Sequence, residues 1–69
     1  MPSVKIRDMI RLLESKGWYI ARTKGSHRQY HHPDRHGTVT VAGKPRQDLS
    51  QEMIRSILKQ AGLAKKDLP

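Results

Sequence analysis

Apolar residues recur at helical spacing near both ends of this 69-residue chain and at strand spacing in its middle, and that change of period narrows the choice of folds most. Ile6, Met9, Ile10 and Leu13 stand at i, i+3, i+4 and i+7, one stripe of a helix, while Lys5, Arg7, Arg11 and Glu14 take the other faces. Ser3 is a suitable N-cap, and Gly17 closes the helix just behind Lys16. A second stripe is made by Leu49, Met53, Ile54, Ile57, Leu58 and Ala61. Asp48 is its expected N-cap, with Gln51 three residues on in a capping-box pattern, and Gly62 its expected C-cap. Residues 64–69 are expected to form a loose tail.

Between the stripes, residues 18–23 are rich in β-formers with a rough period of two. Residues 24–26 read as a tight turn, 27–32 as a returning strand and 33–37 as a second turn, punctuated by Pro33 and Gly37. Residues 38–42 alternate most strictly, with β-branched side chains. The expected fold is therefore α+β, in the order α-β-β-β-α, with a three-stranded antiparallel meander. Each helix has a single apolar stripe, so both must pack on the same face of the sheet, leaving the other for water or a ligand. One domain spanning residues 1–69 follows from length, since so short a chain cannot build two cores. An apolar content of 35% without any Phe makes that core thin.

The formal net charge is +8, and it is unevenly spread. Residues 22–46 carry Arg22, Lys24, Arg28, Arg35, Lys44 and Arg46 against Asp34 alone, a balance of +5, and they also hold all four histidines. A basic excess gathered in one segment is what a polyanion-binding surface looks like, although an acidic protein partner would fit it too. The absence of Cys excludes a disulfide framework and Cys-based zinc sites. No apolar run approaches the roughly 20 residues of a membrane span, and the N-terminus has no apolar signal region. A cytoplasmic protein is expected.

Three signatures in order resemble the HicA toxin family. They are Leu12-Leu13-Glu14-Ser15-Lys16-Gly17-Trp18 at the helix-to-strand entry, Gly25-Ser26-His27 followed by the aromatic Tyr30, and the closing helix from Ile54 to Leu63. The likeness covers about residues 3–63. It implies a fold similar to the double-stranded-RNA-binding domain, endoribonuclease activity on mRNA, and a HicB-type antitoxin as partner. The family's catalytic histidine carries over to His27. Many members have Val-Pro-x-His after the third strand; this chain has Val41-Ala42-Gly43-Lys44, which puts Lys44 at the place of that second histidine.

The chemistry agrees with this. RNA carries its own nucleophile, the 2′-OH, so an enzyme need only move protons and stabilise the phosphorane charge, with no cofactor. The unperturbed imidazole pKa of about 6.5 suits histidine to either proton transfer. Gly25 and Ser26 can offer backbone N–H groups to a phosphate oxygen. Lys24 and Arg28 flank His27, and Arg22, Lys44 and Arg46 are further expected phosphate contacts. A metal site is not expected. His31 and His32 are adjacent on a strand and point to opposite faces, and Asp34 is the only acid near them.

Trp18 is expected in the core, whereas Tyr30 fits either the core or base stacking. The competing reading is a non-catalytic RNA-binding module. Duplex binders usually grip phosphates with a Lys cluster at the start of their last helix, where this chain has Gln47-Asp48-Leu49-Ser50-Gln51-Glu52. A pure protein-docking domain would leave the Gly-Ser-His turn unexplained.

Overall fold

The first helix, α1 (Ile6–Ser15), buries Ile6, Met9, Leu12 and Leu13, the stripe its spacing predicts shifted slightly to include Leu12. These coordinates come from a computed structural model, which describes residues 3–68. Three strands follow, β1 (Tyr19–Lys24), β2 (His27–His32) and β3 (Arg35–Ala42), then a second helix, α2 (Gln51–Ala61). The strands form one antiparallel sheet in the order β1-β2-β3. The order α-β-β-β-α and the antiparallel meander are as the periodicity predicts.

Tyr30 on β2 pairs with Val39 on β3, so the two share a face with Val41, two residues further on. These three pack with Trp18, the α1 stripe and Ile54, Ile57, Leu58 and Ala61 of α2 in one core. Both helices therefore cover the same side of the sheet. Side chains as buried as Met9, Leu13, Ile57 and Val39 each contribute about 1.5–3 kcal/mol. Trp18 is buried as expected, and Tyr30, which also suited stacking, belongs to the core. Burial, with the Glu14 carboxylate adding to it, pushes the Tyr30 hydroxyl above its usual pKa.

Several boundaries differ from the sequence reading. Ser3 does not cap α1; Lys5 holds the N-cap position, and its backbone N–H donates to Asp8 Oδ2 at 3.0 Å. Nor does Asp48 cap α2. Ser50 does, its hydroxyl accepting from Met53 N at 3.2 Å. Ser3 and Asp48 find each other instead: the Ser3 hydroxyl donates to Asp48 Oδ1 at 3.0 Å, and Lys5 Nζ sits at the same oxygen at 3.0 Å. Backbone bonds from Ile6 N to Gln47 O (2.9 Å) and Leu49 N to Val4 O (2.8 Å) tie the two helix entries together. Leu49 thus packs on the core from outside the helix, and Met53 is exposed.

The second turn is shorter than the expected 33–37, because β3 already starts at Arg35 and pairs there with His32. The expected loose tail also folds back. Lys65–Asp67 is a 3-10 turn, Ala64 N donates to Asp67 Oδ2 at 2.9 Å, and Leu68 packs against the core.

Candidate functional site

Residues that pair across antiparallel strands share a face, so the register identifies what lies opposite the helices. On β2 that face carries His27, Gln29 and His31, the alternation opposite to Tyr30. On β3 it carries Thr40 and Ala42, the partners of Gln29 and His27. On β1, Lys24 pairs with His27, Arg22 with Gln29 and Tyr19 with His31. Tyr19 could not join Arg22 and Lys24 in a regular strand, since odd and even positions face opposite ways. A bulge makes it possible: Ala21 is an extra residue between the pairs Ile20↔Tyr30 and Arg22↔Gln29.

His27 follows a two-residue turn. Gly25 has φ +60° at its first central position, and Lys24 and His27 close it as a pair. This is the hairpin turn that favours glycine at that place, because its twist matches the strands. His27 is exposed at the start of β2. Together Arg22, Lys24, Gly25, His27 and Gln29 line an open groove.

The expected phosphate contacts divide in two. Arg22, Lys24, Gly25 and Ser26 stand around His27. Arg28, one residue along, faces the helix side, where its Nη1 donates to Gly43 O at 2.8 Å. Gly43 N in turn donates to Ser26 O at 3.1 Å, so the loop after β3 is fastened to the Gly25-Ser26 turn. Lys44 therefore starts beside that turn. Arg46 lies where the loop crosses the start of α1, its carbonyl 3.5 Å from Lys5 Nζ. Neither Arg28 nor Arg46 lines the groove.

The other histidines have separate surroundings. His32 faces the helices: its Nδ1 accepts from Asp34 N at 3.0 Å, which leaves Nε2 to donate to Lys16 O at 2.9 Å. Its ring meets Trp18 edge-on at 5.3 Å. His31 is on the open face, its Nε2 3.2 Å from Thr38 Oγ1. Among the described residues, no three His, Asp or Glu side chains gather as a metal ion would require. Gln29 and His31 were legible from strand alternation starting at His27; Tyr19 had no such signal, because nothing in its neighbourhood announces the bulge.

The chain is thus a two-helix, three-stranded α+β domain with Arg22, Lys24 and His27 exposed on the sheet face that the helices leave open. The family model described as HicA toxin of bacterial toxin-antitoxin matches residues 6–63, which contain every element from α1 to α2. The chain belongs to the HicA toxin family. Membership makes it the toxin component of a toxin–antitoxin pair, with an antitoxin as partner. A comparison with curated proteins finds no match. Among the described residues, no helix is long and apolar enough to cross a membrane.

Proposed function

We propose that this toxin is a metal-independent endoribonuclease acting on mRNA in the cytoplasm, with His27 as catalytic residue and a HicB-type antitoxin restraining it. The observation that carries the reading is the setting of His27, exposed on the uncovered sheet face in a groove shared with Arg22 and Lys24. Acting as base, the imidazole takes the 2′-OH proton as O2′ attacks phosphorus. The bond from phosphorus to O5′ then breaks, and O5′ takes a proton from water as the imidazolium returns its own to solvent, leaving a 2′,3′-cyclic phosphate and a 5′-hydroxyl. Arg22 and Lys24 stabilise the phosphorane charge, and the Gly25 and Ser26 N–H groups serve its oxygens. Lys44, brought to the turn through Gly43, takes the place of the second family histidine. Arg28 acts at one remove, by holding the Gly43 carbonyl.

The element order also supports a likeness to double-stranded-RNA-binding domains. However, α2 opens on Gln51 and Glu52 in place of a lysine cluster, which favours single strands over a duplex. Replacing His27 by Ala is expected to abolish cleavage while moving the melting temperature only a few degrees, since an exposed side chain contributes little to the core. Cleavage by the parent should persist in EDTA and fail on RNA with a 2′-deoxy sugar at the cut. Undiminished cleavage by His27→Ala would overturn the assignment. RNA binding without any product from the parent would leave only a binding module.

A further inference from the structure

The groove at His27 leaves the far end of the open face without a role. Tyr19 stands there with 52% of its surface exposed. Its ring meets His31 edge-on, with centroids 6.4 Å apart and planes at 78°. Thr38 steadies the His31 ring from the other side, and Arg35 and His36 line the same shallow hollow. An exposed aromatic ring thus stands edge-on to a tethered imidazole, on the same face as Arg22 and Lys24.

The Ala21 bulge is what puts it there. A bulge leaves one residue unpaired and disrupts the ladder locally, so some other part of the structure must gain from it. Part of the gain is the core's, because the same shift puts Trp18 on the helix side, 3% exposed; Tyr19 stays outside the core, and Ile20, on the helix side of β1, is 49% exposed. The other part falls on the open face, where Tyr19 joins Arg22, Lys24 and His27.

We infer that Tyr19, braced by His31, is a stacking seat for one unpaired base of the RNA substrate. The inference rests on the endoribonuclease reading above and narrows it to single-stranded RNA. His27 and His31 are four residues apart on β2, roughly 13 Å by strand rise. A strand whose scissile phosphate lies at His27 reaches Tyr19 within a few nucleotides, with Arg22 between them for a phosphate. Only an unpaired base offers a free face to the ring, because in a duplex both faces are covered by neighbours. An aromatic platform beside a cationic track is the arrangement by which proteins hold single strands.

The test uses the full chain carrying His27→Ala, which silences cleavage, and a short labelled single-stranded RNA whose bases are removed one position at a time. Tyr19→Ala should weaken binding roughly tenfold, whereas Tyr19→Phe should bind as the starting chain does. Removing the base at one position should weaken the starting chain by a similar factor and leave Tyr19→Ala unaffected, because the two changes delete the same contact. The base-removal series needs no change at Tyr19, so it decides the matter even if Tyr19→Ala folds poorly. Binding indifferent to Tyr19→Ala and to every base removal overturns the seat and leaves the cleavage reading standing. Equal dependence on Tyr19 for a duplex of the same sequence also overturns it. So does a loss of affinity confined to the antitoxin, which would make the patch a protein-docking surface. No RNA binding by the starting chain overturns both readings.

Discussion

Gly17 joins α1 to β1 at φ +94°, and an added Cβ there would lie 2.7 Å from His32 Nε2. Two separate costs meet at this residue. A left-handed backbone disfavours any L side chain by about 1–2 kcal/mol. Displacing the His32 ring would also weaken its bond to Lys16 O, worth about 1 kcal/mol. Gly17→Ala is therefore expected to lower stability by about 2–3 kcal/mol, a fall of roughly 8–24 °C in melting temperature for a domain this small. In a His32→Ala background the same change should cost only the backbone part, and thermal melts of the four proteins would measure the coupling. Equal costs in both backgrounds would show that His32 and Gly17 do not depend on each other. His32 is thus a structural histidine and His27 an exposed one. Composition alone could not separate them, because what divides them is the face each occupies.

At the scale of elements, the two helix entries are held by the Ser3, Lys5 and Asp48 cluster. The hydrogen bond from Lys5, and after it the one from Ser3, holds the Asp48 carboxyl below its ordinary pKa of 3.8. A group depressed in the folded state stabilises above its unfolded pKa, and that stability is lost as pH falls through the folded value. Denaturation measured from pH 5 downwards should accordingly show stability falling below about pH 3.8, with Asp48→Asn losing this part of the slope. The effect is screened by salt because the carboxylate is exposed. An identical acid limb in parent and Asp48→Asn would remove the cluster from the account. Local pattern points Ser3 and Asp48 to two separate caps, since it shows a side chain's preference for a helix start but not a competing partner 45 positions away.

The whole molecule presents one sheet face covered by both helices and one on which Arg22, Lys24 and His27 stand exposed. An antitoxin that silences such a toxin by occlusion must cover that second face, and positive charge there steers an acidic partner onto it. Shielding needs contact rather than chemistry. His27→Ala is therefore expected to keep its affinity for the antitoxin, whereas Lys24→Glu should weaken the complex, most clearly at low salt. RNA should not bind to the complex. Titration calorimetry with the purified partner would show this, and an affinity untouched by Lys24→Glu, with RNA still bound, would place the antitoxin elsewhere.

The order of elements, the shared side of the two helices and the exposure of His27 were all written in local pattern. The period of the apolar residues and the placement of Gly25 depend on neighbours a few positions away. Gln29 and His31 follow from the same alternation. What needed the tertiary structure depends on distant partners. The Ala21 bulge arises only where β1 meets β2, and it alone decides that Tyr19 shares a face with Arg22 and Lys24. Arg28 looked like a flank of the site because it adjoins His27 in the chain. A strand turns successive side chains to opposite faces, and the Gly43 carbonyl was waiting on the other side.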